Sequence, residues 1–160
     1  KDGVYHLWLP SSGAINGDTR FLYPTPYTTM TIPSTAGKII AVGAYDSRSR
    51  TYADFSGRGA SGNERIPRPD LVAPGVNIMT TAPGGGYAQA TGTSFATPFV
   101  TGAAALLMEW GITDGNDPFL YGEKVKVYLL KGAQTLPAFQ EYPNAQIGWG
   151  ALCVRESIPI

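Results

Sequence analysis

The stretch GTSFATP, residues 92–98, holds a hydroxyl among small residues, with a proline four positions after it and a long apolar run beyond. If a helix opens here, its first backbone N–H groups have no internal partner, and the helix dipole adds partial positive charge at that end. A serine so placed can attack a carbonyl while a backbone N–H holds the resulting oxyanion. Gly92 lets the backbone pass close to a substrate, and Ala96 keeps the facing turn narrow. Pro98 lacks the N–H that would bond the Ser94 carbonyl, so that carbonyl is left free. A plainer reading of the same residues makes Thr93 and Ser94 N-caps, with Pro98 falling by chance in the first turns.

The elements that would position Ser94 are legible on both sides. KIIAVGAY (38–45) is a nearly continuous apolar run of strand length, as a strand buried on both faces of a parallel sheet would be. VNIMTT (76–81) reads as a second short strand, followed by the flexible PGGGY (83–87), while 46–70 is loop-like and ends in the bend IPRPD. Residues 94–110 have almost no polar face, which predicts a helix buried on every side. A second, amphipathic helix is expected with Asp117 as its cap, Pro118 in its first position and Gly132 closing it. Its buried stripe would be Tyr121, Val125, Tyr128 and Leu129. Ahead of all this, VYHLWL (4–9), RFLY (20–23) and YTTMTI (27–32) are strand candidates separated by turn signals. The division is therefore a β-rich segment, 1–31, and an α/β segment, 32–160, that contains only part of a sheet.

Bulk properties exclude several classes. Lys+Arg and Asp+Glu both total 12, so nothing draws the chain to nucleic acid or an anionic membrane. The single cysteine, Cys153, excludes an internal disulfide and a cysteine-rich zinc site. The longest apolar run, around 99–108, is interrupted by Thr101 and Gly102 and is too short for a membrane span. The chain opens on Lys1 without a charged-then-apolar leader, which suggests a processed product or a piece of something longer.

GTSFATPFVTGAAALL (92–107) resembles the nucleophile segment of the subtilisin-like serine proteases, the subtilases. The likeness continues in order. IIAVGAYD (39–46), FSGRGA (55–60) and RPDLVAPGVNI (68–78) resemble that family's strand, its F-S-x-x-G turn and its D-x-x-A-P-G segment. YGEKVKVYLLKGA (121–133) and IGWGAL (147–152) resemble its closing helix and its final G-x-G turn. Coverage is about 32–156. The implied fold is the C-terminal part of a subtilisin-like parallel-sheet sandwich around a buried central helix.

The resemblance implies that Ser94 is the acylated nucleophile of a serine endopeptidase, with its own N–H as one oxyanion donor. It also implies an upstream aspartate, a histidine in an H-G-T motif and an oxyanion asparagine, and none of these motifs is present. His6 precedes Ser94 but sits in VYHLWL with no Gly-Thr after it, and is read as a strand or packing histidine. Asp2, Asp18, Asp46, Asp54 and Asp70 lie in unsuitable contexts, and Asp70 is expected to anchor a turn. The base is thus expected outside this chain, since a triad is spatial rather than sequential. Subtilisin itself loses turnover roughly a millionfold when its triad is removed, so the chain alone is expected to be silent.

The partners implied are a polypeptide substrate and the N-terminal half of the same catalytic domain. No cofactor is required, and a structural Ca²⁺ in the parent is compatible with family habit near 32–45, although no ligands can be named because that segment differs. Family habit also implies secretion or the cell surface, with the spore compartment as a variant. Clostridial-type subtilases, which carry a β-rich insert at about this place, resemble the arrangement in which 1–31 ends such an insert. A rival reading is a subtilase-like pseudoprotease that lost its upstream residues and uses the cleft for binding. PGGGY lacks the Gly-Lys-Ser/Thr of a phosphate loop, Ser94 fits neither G-x-S-x-G nor S-x-x-K, and Trp8, Trp110 and Trp149 are read as core residues.

Overall fold

The computed structural model describes residues 3, 5–10, 12–60 and 67–159. Two strands make its centre. β1 (Val42–Asp46) and β3 (Leu71–Pro74) run parallel, with Val42 opposite Leu71 and Tyr45 opposite Pro74. β2 (Thr51–Tyr52) returns antiparallel on the outer edge of β1. On the other edge of β3, Val72 donates to Gly150 and Leu152 to Val72, so 150–152 continues the sheet. β4 (Ile78–Thr81) and β5 (Tyr87–Ala90) form a separate antiparallel hairpin whose turn is the expected glycine-rich loop.

Strands as apolar as LVAP form here because both their faces are covered; Leu71, Val72 and Ala73 are fully buried. On one face lies α1 (Thr93–Met108), which packs on β1 and β3 through Ala96, Val100, Ala103 and Leu107. α2 (Gly122–Lys131) adds Val125 and Leu129 to the same core, with the short α3 (Val154–Ser157) beside it. On the other face, Val72 packs with Leu136, Ile147 and Ala151. Ser56, in the F-S-x-x-G turn, is buried and its hydroxyl accepts the Ala44 N–H at 3.0 Å, fastening that turn to β1. The final G-x-G turn is fastened as tightly. Gly148 has φ 57°, and a Cβ there would lie 2.1 Å from the Pro69 carbonyl oxygen.

Several sequence expectations are corrected. Among the described residues of 1–31 no strand forms; one turn of 3₁₀ helix, Ser12–Ala14, is the regular structure there. Val4, at the head of VYHLWL, lies outside the described residues, as do Asp2 and Ile66 of the IPRPD bend. The segment's aromatics look outward: Trp8 is 59% exposed and bonds through its indole N–H to the Thr28 carbonyl at 2.8 Å. Trp149 is likewise exposed, and Trp110 is half-buried, edge-on to Tyr128. α1 is buried on one side only. Phe99, Leu106 and Met108 are 42–49% exposed because a single sheet layer covers one face and nothing in the described chain covers the other. With the π-helical turn Glu109–Thr113 that extends it, this helix is 21 residues long, and by length and composition alone it is long enough to cross a membrane. The apolar run underestimated it, since the helix continues past the run at both ends.

The second helix also starts later than its capping signals suggest. Asp117, Pro118, Phe119 and Leu120 form a turn, with Leu120 N–H bonding the Asp117 carbonyl, and Tyr121 becomes the N-cap. Its buried stripe is Val125 and Leu129, with Tyr128 half-buried and Tyr121 exposed. Gly132 closes the helix as expected. The Asp117 carboxylate is diverted from capping because it takes Lys124 Nζ at 2.6 Å and the Tyr128 hydroxyl at 3.1 Å.

That hydrogen bond from Lys124, helped by the one from Tyr128, holds the Asp117 carboxyl below the usual carboxylate range. A depressed folded-state value contributes stability above the unfolded value and loses it as pH falls through the folded one. In the full-length polypeptide, wild type should therefore be more stable than Asp117→Asn above about pH 4. The two curves should converge as the pH is lowered further. Thermal melts at pH 2 to 6 check this; a difference independent of pH would contradict it.

Candidate active site

The turn before α1 is held from three directions. β3 ends at Gly75, whose N–H bonds the Tyr45 carbonyl at 3.0 Å and whose own carbonyl accepts the Gly92 N–H at 2.8 Å. The Asn77 N–H bonds the Thr91 hydroxyl at 2.9 Å. Space there is tight: a Cβ on Gly75 would lie 2.6 Å from the Ala44 Cβ and 3.0 Å from the Gly92 carbonyl oxygen. The start of the helix is thus fixed to the end of the central strand by main-chain bonds.

Gly92 is the N-cap, and no side chain caps the helix. This removes the plainer reading of Thr93 and Ser94 as caps. Ser94, in the first turn, is exposed, and its hydroxyl has no hydrogen-bond partner among the described residues. Its N–H is one of the donors with no intrahelical acceptor; the next N–H, that of Phe95, turns back to the Gly92 carbonyl at 3.1 Å. The helix runs unbroken through Pro98, and the Thr97 hydroxyl reaches the Thr93 carbonyl at 3.1 Å in the turn that proline leaves short of a donor.

Ser94 opens on a cavity of about 620 Å³. Its walls are Thr93 and Thr97 of α1, Ile39 to Val42 at the head of β1, Phe55, Gly57, and Thr29 to Thr31 with Pro33 and Ser34. No charged side chain lines it among the described residues. His6 does not reach it: that ring lies against Trp8, with centroids 5.7 Å apart, and lines a second cavity of about 470 Å³ with Tyr5, Phe21, Tyr23 and Tyr27. Asp46 is taken by the Arg48 N–H at 2.9 Å, and Asp54 is exposed beside Arg58. Asp70, assigned by sequence to a turn, is instead the centre of a buried ion cluster. Its carboxylate accepts Arg68 Nη1, Lys126 Nζ at 2.7 Å and the Ala41 N–H at 2.7 Å. Sequence reasoning missed Arg68 and Lys126; a charged residue within an apolar run is the signal that could have found them, and RPDLVAP shows it only weakly.

The cluster also decides whether a cation fits near 32–45. The carbonyls of Ala36 and Gly37 accept Arg68 Nη2, and that of Ile39 accepts Lys126 Nζ at 2.8 Å. Two side-chain cations already face those oxygens, so the residues present do not suit a metal ion there. No group of three or more His, Cys, Asp or Glu able to hold a metal occurs among the described residues.

Comparison with known proteins places this arrangement. A sequence model described as the subtilase family matches residues 17–150, starting inside the segment that the motifs alone had set apart. An intracellular serine protease of Paenibacillus polymyxa is 41% identical over 98 residues, 59% of this chain and 28% of that protein. Subtilisin E of Bacillus subtilis is 46% identical over 86 residues, 54% of this chain and 18% of that protein. Among solved structures, the Clostridium perfringens CspB protease is 46% identical with a TM-score of 0.85, over 90% of this chain and 30% of that one. The prenylagaramide maturation protease PagA is 32% identical with a TM-score of 0.68, over 83% and 46%. The chain therefore spans less than a third of the length of the curated relatives named here. The fold is that of subtilisin-like proteins, the clostridial resemblance holds, and the chain belongs to the subtilase family.

Proposed function

We propose that this chain is the nucleophile-bearing part of a serine endopeptidase and that Ser94 is its acylated residue. The observation that carries the reading is the state of Ser94: exposed, unpartnered among the described residues, and fixed in the first turn of α1 beside an open cavity. The relatives described as serine proteases and subtilisins support it.

In this reading Ser94 Oγ attacks the scissile carbonyl of a polypeptide, and the developing oxyanion takes the Ser94 N–H, which the helix leaves unused and its dipole favours. The proton of Oγ goes to a base supplied by the N-terminal half of the same domain, which also brings the residue that orients the base. The uncovered face of α1, with Phe99, Leu106 and Met108, and the open cavity at Ser94 suit that half as docking surfaces. Because the described residues near Ser94 offer no base, the chain by itself should not turn over substrate.

Fluorophosphonate labelling of the longest natural polypeptide containing this sequence tests the assignment, beside the 160-residue chain alone. The parent should label and the isolated chain should not. Ser94→Ala should abolish labelling and lower turnover roughly a millionfold. A folded, fully processed parent that does not label would remove the enzyme reading and favour a subtilase-like binding module.

Gly75 offers a second test, of positioning. Gly75→Ala forces a Cβ between Ala44 and the Gly92 carbonyl, which should cost about 1–3 kcal/mol of stability by overpacking. Displacing the Ser94 turn should slow labelling on the order of 100-fold even where the protein remains folded. Melting and labelling rates measured on one preparation separate the two effects.

A further inference from the structure

The loop 33–41 forms one wall of the Ser94 cavity through Pro33, Ser34 and Ile39 to Ala41. Its carbonyls at Ala36, Gly37 and Ile39 turn inward, toward Arg68 and Lys126. Both cations also grip the Asp70 carboxylate, and Asp70 in turn holds the Ala41 N–H and, through its backbone N–H, the Ala41 carbonyl at 2.8 Å. Arg68 and Asp70 are 5% and 2% exposed. Two positive groups against one negative leave a surplus positive charge in a buried place, and inward carbonyl dipoles are the remaining partners available to it.

We propose that Arg68 and Lys126 are the resident cations of this loop, doing with side chains what a bound metal ion would otherwise do, and that they thereby position the cavity wall beside Ser94. The chemistry is specific. The guanidinium fork reaches the carboxylate with one nitrogen and the loop carbonyls with another, while the lysine spans from α2 to the Ile39 carbonyl and the second carboxylate oxygen. A metal ion placed among the same oxygens would meet both cations at short range, so it is disfavoured by charge. The positioning role rests on the reading of Ser94 given above; the metal-free clamp does not.

Hydrogen exchange of the 36–42 segment in the full-length polypeptide tests the clamp independently of activity. In wild type, exchange there should be unchanged by EDTA and by added Ca²⁺. Arg68→Ala should accelerate it about tenfold or more, since the Asp70 carboxylate is left buried with one partner fewer. Millimolar methylguanidinium should slow it again, and the Ser94 labelling rate should follow the same order. Should Arg68→Ala not fold, Lys126→Met removes only the ammonium and keeps an apolar stem of similar length; it should also raise exchange at 36–42. The proposal is overturned by faster wild-type exchange in EDTA, by unchanged exchange in the variant that folds, or by failure of methylguanidinium to act on Arg68→Ala. If wild type does not label at Ser94 while the exchange results hold, the nucleophile reading fails and the clamp stands.

Discussion

One buried carboxylate ties together segments that lie far apart in the chain. Asp70 sits at the foot of β3, bonded through its side chain to Arg68, to Lys126 on α2 and to the Ala41 N–H ahead of β1. Its carbonyl accepts the Trp149 N–H at 2.9 Å, which brings in the final G-x-G turn. Burying an ion costs several kcal/mol unless every lone pair is used, so the group is tolerated only when all these segments are in place at once. That requirement sets the β1–β3 register, the docking of α2 and the approach of 147–150 together. It also explains why Gly148 is needed where it stands, since a side chain there would strike the Pro69 and Asp70 carbonyls.

The same anchor governs the site. Parallel pairing from Val42 opposite Leu71 ends at Tyr45 opposite Pro74, and Gly75 then hands its carbonyl to Gly92. The turn that carries Ser94 is therefore placed by the end of a strand whose beginning is fixed by Asp70. What the described chain does not provide is a second covering layer. α1 buries Ala96, Val100, Ala103 and Leu107 and leaves Phe99, Leu106 and Met108 outward, which is the pattern of a core helix met from one side.

The sequence made the central parts readable because they obey local rules. A strand buried on both faces shows as an uninterrupted apolar run, and GTSFATP with its helix is distinctive enough to carry the family. Failures came where tertiary contacts overrode local signals. Asp117 and Pro118 look like a helix start, yet Lys124 and Tyr128 claim the carboxylate and the helix begins at Gly122, after Tyr121 as its cap. The β-branched and aromatic residues of 5–10 and 20–32 suggest strands, but the paired prolines Pro24 and Pro26 break the run, and no strand forms among the described residues there. The ion cluster was hardest to foresee, because its members lie 29 to 87 residues from the backbone groups they hold.

The division of labour around Ser94 follows from which interactions are local. The bonds that tie the turn before the serine to the central strand are main-chain or nearly so, and are made between residues 45 and 92 of this chain. On the proposed reading the groups that activate it are of another kind: a base and its orienting partner arrive on a different element, from across the cavity. On the proposed reading that element is the layer which also covers Phe99, Leu106 and Met108. Those three side chains are already about half-buried, so covering the rest stabilises by roughly 1 kcal/mol each, in sum more than one hydrogen bond between a hydroxyl and its base. Closure of the domain over α1 would then bring the base to Ser94 as a consequence of hydrophobic burial, and the nucleophile would stay inert until that burial was complete.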